Sequence, residues 1–294
     1  MKQQEFILYD SGKRPLLRLF HSVVPAGRRA YREHHHTECE LSLFCNGAGI
    51  YTVGKQTYTF QKGDVFLFGS DETHCITNIF DEEPFDLLNI HFEPRILWDS
   101  QGGAALPLLR VFHNRSAEFS NQIHRENPLA LEMIPKILEM EKEFQKKEIG
   151  YELKIRLYLY DVLLLILRSY TDIEEKDFVC ANEKILGQLS DAITFINLHY
   201  TDILTLEEVA RKATMSKAYF STIFKKYNGI SPWDYIIIKR IEKAMNLLRH
   251  NNFTKLEIAE QCGFQSISNF YKAFQKVTGM SPTSYIKAKN NTDS

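Results

Sequence analysis

The feature that most constrains this fold is a repeat of about fifty residues in the C-terminal third of the chain. Eight residues between Phe220 and Ile236 occur again fifty positions later, between Phe270 and Ile286. Upstream, the offset is forty-nine, which pairs Glu208-Val209-Ala210 with Glu257-Ile258-Ala259. Self-similarity at a fixed period indicates that one supersecondary unit occurs twice. The single-residue difference in spacing belongs in a turn.

Each copy predicts a helix, a turn and a second helix. The first helices open with the capping boxes Thr205 to Glu208 and Thr254 to Glu257, in which side chains satisfy unpaired backbone donors. The second helices follow plausible N-caps at Ser216 and Ser266. We therefore predict two helix-turn-helix units, at about 205–228 and 254–277.

Apolar residues at helical spacing bury one face of each second helix and leave the opposite face free. A recognition helix must enter a major groove about 12 Å wide, where Ser, Thr, Lys and small apolar groups can contact bases. A solvated helix face is the alternative, and the duplication favours DNA. The predicted base-reading residues are Lys217, Ala218, Ser221, Thr222, Ile267, Ser268, Tyr271 and Lys272.

Basic residues are concentrated in the same region. From Ala181 onward there are 15 Lys and Arg against 10 Asp and Glu, whereas residues 1–180 carry 21 against 27. This asymmetry suits a DNA-binding half joined to a half that does not bind DNA, although solvated lysines could also produce it. The predicted phosphate contacts, each of which could instead be a solvated cation, are Lys225, Lys226, Lys239, Arg240 and Lys276.

A linker helix is predicted from Pro232, because Ser231-Pro232-Trp233-Asp234 has an N-cap followed by proline and apolar residues continue at helical spacing. At about 1.5 Å per residue, roughly 17 residues span about 25 Å. Two recognition helices could then read successive major-groove segments, which repeat about every 34 Å.

Residues 185–288 resemble the AraC/XylS family of bacterial transcription regulators, with matching ends at Gly229 to Tyr235 and Gly279 to Tyr285. The resemblance implies a sequence-specific DNA-binding regulator, an activator rather than a repressor. It places base contacts at Ala218, Ser221, Thr222, Ser268, Tyr271 and Lys272. The first recognition helix departs from members with bulky base-contacting residues, so we expect it either to read bases less forcefully or to read mainly apolar methyl groups.

Residues 37–95 alternate short apolar runs with turns such as Asn46-Gly47, Gly54-Lys55 and Lys62-Gly63-Asp64. Short strands at regular spacing predict an antiparallel barrel or jelly roll that can enclose a small ligand. The expected fold class is α+β: this barrel with accompanying helices, followed by an all-α DNA-binding domain.

Eight of the ten histidines precede residue 181. His34, His36 and Glu40 form an H-x-H-x-x-x-E pattern that His74 could complete, and this set suits a divalent metal such as zinc, iron, manganese or nickel. The pattern resembles the cupin double motif, although Gly69-Ser70-Asp71 stands where the second motif has Pro and Gly.

Three roles remain open for these four residues: a metal site, a metal-free pocket for a polar effector, and a purely structural cluster. The family resemblance favours a small effector, such as a sugar. His91 is predicted as a buried structural histidine. A rival hypothesis is a metal-dependent cupin enzyme tethered to DNA, in which the same four residues perform chemistry. No cofactor is required by the first hypothesis.

Between the two regions, residues 128–170 predict helices. A stripe of Leu153, Leu157, Tyr160, Leu164 and Leu167 either packs on the barrel or forms a homodimer interface. We predict a barrel domain over 1–127, this helical segment, a polar linker over 171–183 and a DNA-binding domain over 184–294. Five scattered cysteines and the lack of a long apolar run predict a cytoplasmic protein without a membrane contact.

Overall fold

The computed structural model describes residues 5–9, 14–24, 33–80, 84–97, 106–113, 119–170, 176–249 and 253–290. The chain forms two compact units, one built chiefly from residues 16–186 and the other chiefly from residues 187–294. The division between Leu186 and Gly187 lies close to the predicted start of the DNA-binding domain. Across the described ranges, no helix is both long and apolar enough to span a bilayer.

The first unit contains an antiparallel sandwich of two sheets. The larger sheet has the strand order β1-β2-β8-β3-β6-β9, and the smaller has the order β5-β4-β7. This arrangement confirms the predicted antiparallel β architecture. Within the described ranges the strands are β1 (Glu5–Tyr9), β2 (Pro15–Val24), β3 (Cys39–Asn46), β4 (Gly49–Val53), β5 (Gln56–Phe60), β6 (Val65–Phe68), β7 (His74–Ile79), β8 (Phe85–Phe92) and β9 (Gln122–Ile123).

Aromatic side chains fill much of the space between the two sheets. Phe44 and Phe66 from the larger sheet meet Tyr51 and Phe60 from the smaller one, and the rings of Phe44 and Phe60 stack with centroids 3.9 Å apart. Alternate residues of a strand point to the same face, so each strand contributes to this core at every second position. Phe68 continues the aromatic cluster and stacks on His74 at 4.0 Å, which brings the core up to the polar groups described below.

Among the described residues, the first unit also contains two short 3-10 helices, at Pro94–Leu97 and Leu106–Leu109, and the α-helices α1 (Arg110–His113), α2 (Pro128–Lys146) and α3 (Tyr151–Tyr170). The side chain of Asn127 caps α2, and proline follows at the first helical position. His21 on β2 contacts Asp86 Oδ1 on β8 at 2.7 Å and Glu141 Oε1 on α2 at 3.3 Å. This ion-pair cluster links the larger sheet to α2.

The apolar stripe predicted on α3 is not the face that α3 buries. Leu153 and Leu157 are 62% and 57% exposed. Packing on the barrel is therefore wrong for these two leucines. Both stripes have helical spacing, so only the position of α3 against its neighbours could decide between them. The face that is buried consists of Ile155, Leu159, Val162, Leu163 and Ile166.

The second unit is helical, in agreement with the predicted all-α domain. Helix α4 begins at Lys176, so residues 176–183 of the predicted linker are helical, while residues 171–175 lie outside the described residues. Helix α4 (Lys176–His199) starts in the first unit and ends in the second. The other described helices of the second unit are α5 (Leu206–Lys212), α6 (Lys217–Asn228), α7 (Pro232–Arg249), α8 (Lys255–Gln261), α9 (Ile267–Thr278) and α10 (Pro282–Asn290).

Both predicted helix-turn-helix units are present, as α5 with α6 and as α8 with α9. The two capping boxes form: Thr205 and Thr254 accept from the backbone three residues later, and Glu208 and Glu257 reach back to the cap. Ser216 caps α6 and Ser266 caps α9. Each of these local signals works within one turn of helix, which explains why the sequence was sufficient to locate them.

Candidate nucleic-acid interface and sensor site

Helix α6 presents a face of small side chains. Phe220 and Phe224 are fully buried on the opposite side, which leaves Ala218 and Thr222 exposed. Thr222 Oγ1 donates to the carbonyl of Ala218 at 3.1 Å, and the Ser221 hydroxyl bonds similarly one turn back. These hydroxyl groups are held against the helix backbone, so no long side chain projects from this part of the face. Such a face can approach a DNA groove closely but offers few long side chains that could contact bases.

Helix α9 presents larger groups on the equivalent face. Ile267, Ser268 and Lys272 are exposed, whereas Tyr271 is half-buried with its ring edge-on to Phe270 at 5.8 Å. Packing of the tyrosine ring restricts its orientation. Lys272 is therefore the long, exposed, charged side chain among the predicted readers of α9.

The predicted phosphate contacts fall into different environments. Lys225 and Lys226 are exposed near the end of α6. Lys276 is 73% exposed and pairs with Asp234 Oδ1 at 2.9 Å, while Lys239 is largely covered and lies 3.6 Å from Glu242 Oε2. The exposed lysines are placed as phosphate contacts require, because such contacts come from solvent-accessible cations.

Arg240 corrects the sequence prediction. It is only 6% exposed, its Nε donates to the carbonyl of Tyr200 at 2.6 Å, and its Nη2 donates to the carbonyl of Asp202 at 2.9 Å. The guanidinium lies 5.6 Å from the Phe264 ring centroid. Arg240 is therefore not a phosphate contact in this structure. A basic residue at helical spacing does not reveal whether it faces solvent or neighbouring backbone.

A second close contact lies beside Arg240. Gly263, in the turn of the second helix-turn-helix unit, has φ +83, and a Cβ atom added there would lie 2.5 Å from the carbonyl oxygen of Thr201. The turn thus packs directly on the backbone of the loop that precedes α5. A cleft of about 480 Å³ adjoins this contact, lined among others by Ile203, Trp233 and Asn269.

In the first unit, one carboxylate gathers three imidazoles. Glu40 on β3 is 2% exposed, and its Oε2 lies 2.7 Å from His36 Nε2, 3.3 Å from His74 Nε2 and 3.2 Å from His91 Nε2. His91 reaches this point because β3 and β8 pair with Glu40 directly opposite His91. His74 is positioned by a short antiparallel bridge between its backbone and that of His34.

The electrostatics of this cluster favour a positive charge beside Glu40. Burial opposes ionisation, but His91, His36 and His74 together hold the pKa of Glu40 well below its usual value. Burial likewise opposes protonation of His36, but its hydrogen bond to Glu40 raises its pKa. The Ser42 hydroxyl donates to Glu40 Oε1, which satisfies the second carboxylate oxygen.

The donor set also fits a divalent metal ion of the kind that the cupin motif implies. His74 Nε2 is buried without a hydrogen-bond partner, and it belongs with His34 and His36 to a group whose ligand atoms lie within 4.8 Å of one another. His36, Glu40 and His91 form a second such group. Imidazole nitrogen and carboxylate oxygen are ligands for zinc and related transition metals.

Comparisons with known proteins agree with both halves of this description. A family model described as "AraC-like ligand binding domain" matches residues 24–130, and one described as "Helix-turn-helix domain" matches residues 209–288. Together they cover well over half of the chain. The chain belongs to the AraC/XylS family. It is therefore a DNA-binding transcription regulator with a ligand-binding domain.

Individual proteins are similar to this chain over most of its length or over its C-terminal third. The HTH-type transcriptional regulator YdeC of Bacillus subtilis is 23% identical over 268 residues, which cover 86% of this chain and 85% of YdeC. The HTH-type transcriptional activator RhaS of Klebsiella pneumoniae is 25% identical over 261 residues, 86% of each protein. The C-terminal domain of the response regulator yesN from Fusobacterium nucleatum is 38% identical, covering 32% of this chain and 93% of that one with a TM-score of 0.31.

For this AraC-family chain, the four predicted pocket residues do come together. His34, His36, Glu40 and His74 lie in one cluster, and His91 joins them from β8. The sequence predicted His91 as a buried structural histidine rather than a pocket residue, and it is indeed buried. Its place opposite Glu40 comes from the pairing of β3 with β8, which a strand pattern does not specify.

Proposed function

We propose that this regulator is a sequence-specific activator in which α6 and α9 enter successive major grooves of double-stranded DNA. The observation that carries the proposal is the pair of equivalent helix-turn-helix units, each of which leaves one face of its second helix exposed. Activation is supported by the similarity to RhaS, which is named an activator. Because the target is chromosomal DNA, its proposed place of action is the bacterial cytoplasm.

The two units contribute unequally to this proposed recognition. Helix α6 offers Ala218, Ser221 and Thr222, which can contact thymine methyl groups and base edges only at short range. Helix α9 offers Lys272, which can reach a guanine edge. The choice of DNA sequence therefore depends mainly on the second helix-turn-helix unit. Lys225, Lys226 and Lys276 add affinity by contacting the DNA phosphates.

The proposed signal is a small polar effector, such as a sugar, bound by His34, His36, Glu40 and His74. Support comes from the position of these polar groups beside the aromatic core of a sandwich that matches a ligand-binding family model. Effector binding would alter the arrangement of the DNA-binding units and so change transcription. The rival reading, an enzyme tethered to DNA, is not favoured, because YdeC and RhaS are both named as transcription regulators.

A homodimer through α3 is also proposed. The residues from Leu153 to Leu167 in the predicted stripe are spaced four, three, four and three apart, which is the pattern of a two-helix seam. Leu153 and Leu157 lie on the outer face of α3 and are more than half exposed. A second copy of α3 is the partner whose own leucines match this spacing.

This dimer can be tested by substituting Leu157 with aspartate. We expect the wild-type chain to sediment as a dimer and Leu157→Asp to sediment as a monomer, because a carboxylate would be buried in the seam without a partner. Leu198→Asp, at a leucine that is 73% exposed on α4 in the other unit, serves as the matched control and should remain dimeric. A monomeric wild-type protein, or a dimeric Leu157→Asp variant, would contradict the proposal.

The roles of the lysines can be separated on an operator selected by the wild-type protein from random duplexes. Lys272→Ala should relax discrimination at one base position, at a cost of about 1–3 kcal/mol. Lys226→Ala should weaken all sequences alike and lower the dependence of log K on log salt by about one. Fluorescence anisotropy across single-base variants and a salt series measures both effects.

Lys55→Ala, at an exposed turn of the first unit, is the control and should change neither quantity. If Lys272→Ala and Lys226→Ala weaken operator and random DNA equally, the assigned roles are wrong. If the wild-type chain selects no sequence at all, the proposed sequence-specific activity is itself wrong.

A further inference from the structure

We propose that His36, Glu40, His74 and His91 bind one divalent transition-metal ion, with His91 taking the position that the sequence motif assigns to His34. The proposal deepens the sensor role suggested above. It rests on the proposed function only for the claim that this site controls DNA binding, and metal binding by itself can be measured without DNA.

Backbone carbonyl groups orient two of the imidazole rings and fix where their protons lie. His74 Nδ1 contacts the carbonyl oxygen of Glu72 at 2.8 Å, and His36 Nδ1 contacts that of Glu38 at 3.0 Å. A carbonyl can only accept, so both Nδ1 atoms must donate. In a neutral ring, the proton on Nδ1 leaves Nε2 with a bare lone pair. In that form both rings present Nε2 as a ligand atom beside Glu40 Oε2, at 3.3 Å for His74 and 2.7 Å for His36.

The imidazole rings converge on one point. The centroids of His36 and His91 are 4.4 Å apart, and those of His36 and His74 are 5.5 Å apart. A single divalent ion placed between these rings and Glu40 would take the imidazole nitrogens and Glu40 Oε2 as its ligands.

The distances between the imidazole nitrogens and Glu40 Oε2 also suit a metal site. His74 Nε2 and His91 Nε2 lie 3.3 and 3.2 Å from Glu40 Oε2. Ligand atoms about 2.0–2.2 Å from a tetrahedral zinc ion are separated from one another by about 3.3 Å. The separation of 2.7 Å for His36 is shorter and needs only a small movement of that ring.

The groups behind these side chains also suit a metal site. Metal-ligating histidines usually donate the N–H of their second nitrogen to a carbonyl or carboxylate, which fixes the ring and raises its basicity. His74 and His36 donate in this way to the carbonyl oxygens of Glu72 and Glu38. The ring of His91 is instead held by stacking on His36 and by an edge contact with Phe20 at 5.0 Å.

His34 differs from these residues in its accessibility. It is exposed, its backbone pairs with that of His74, and its ring packs edge-on against the His74 ring with centroids 4.4 Å apart. We therefore place His34 at the rim, where an oxygen-bearing effector would arrive. Three imidazoles and one carboxylate suit zinc, nickel, iron or manganese, and an ion that expands beyond four ligands would also take an oxygen atom of such an effector.

The test uses the full-length protein, stripped with a chelator and dialysed against Zn²⁺. We expect one Zn²⁺ per chain by elemental analysis, and a visible spectrum with Co²⁺ that reports ordered coordination. His91→Ala should lower Zn²⁺ affinity by at least about 100-fold, beyond the 10- to 100-fold typical of losing an outer-shell partner. His34→Ala should lower it by less than about 10-fold. His35→Ala, at the exposed histidine between His34 and His36, should leave the affinity unchanged.

Absence of stoichiometric Zn²⁺, Ni²⁺, Fe²⁺ or Mn²⁺ in the wild-type protein would overturn the proposal. Loss of the ion in His34→Ala together with its retention in His91→Ala would overturn the ligand set. If His91→Ala does not fold, His91→Gln keeps a polar side chain at the site and should show the same loss. Metal binding without any effect of the ion on operator affinity would instead count against the sensor role in the proposed function.

Discussion

Replacing Gly263 with alanine is expected to destabilise the second unit by about 2–5 kcal/mol and to abolish specific DNA binding. The φ of +83 at this position costs an L-residue about 1–2 kcal/mol. The new Cβ atom would also lie 2.5 Å from the carbonyl oxygen of Thr201, so the loop before α5 or the turn between α8 and α9 must shift. Overpacking of this kind typically adds about 1–3 kcal/mol.

Gly279→Ala is the matched control for this change. Gly279 ends α9 with a similar φ of +74, but nothing lies within 4 Å of an added Cβ atom. It should therefore lose only the cost of the backbone conformation, about 1–2 kcal/mol. Urea unfolding followed by circular dichroism, with hydrogen exchange of α8 and α9, measures the difference. Equal losses in the two variants would show that the contact with Thr201 contributes nothing.

Replacing Arg240 with alanine is expected to cost about 2–4 kcal/mol in the stability of the second unit. The variant loses two hydrogen bonds from a charged donor, and charge-assisted bonds contribute about 1.5–3 kcal/mol each before the surroundings relax. It also removes the contact between the guanidinium and the ring of Phe264. Arg240→Lys should recover little, since an ammonium group cannot reproduce the planar fork of donors that reaches Tyr200 and Asp202.

The same variant separates the structural role from the phosphate role that the sequence predicted. A phosphate contact would lower the salt dependence of DNA binding by about one while leaving the unfolding transition unchanged. The structure predicts the reverse. Arg240→Ala should unfold at a lower urea concentration, and the salt dependence of its DNA binding should be unchanged under conditions in which it is folded. Lys239→Ala, at the neighbouring and largely covered cation, is the control and should lower the free energy of unfolding by less than about 1 kcal/mol.

Arg240 and Gly263 act on the same part of the second unit. Arg240 projects from α7 onto the backbone of Tyr200 and Asp202, and Gly263 packs on the backbone of Thr201 between them. The loop before the first helix-turn-helix unit therefore contacts both the linker helix α7 and the turn of the second helix-turn-helix unit. We expect damage at either residue to impair both recognition helices, although neither residue belongs to the proposed DNA-contacting faces of α6 and α9.

The helix-turn-helix units were predictable because the interactions that define them are local. A threonine and a glutamate three residues apart close a capping box within one turn, and Ser216 and Ser266 cap the following helices in the same way. Duplication then provided independent support, since the same local pattern occurs twice. The strands of the first unit were also predictable from their short apolar runs, but the order of these strands in the sheets was not.

The sequence by itself thus determined the two duplicated units, the strand-rich first half and four members of the histidine cluster. Only the tertiary structure decided that Arg240 turns inward, that α3 buries Ile155 rather than Leu157, and that His91 stands opposite Glu40. Each of these outcomes depends on which distant segment packs against a residue. Helical spacing and strand alternation describe the faces of one element, and they do not specify which neighbour covers each face.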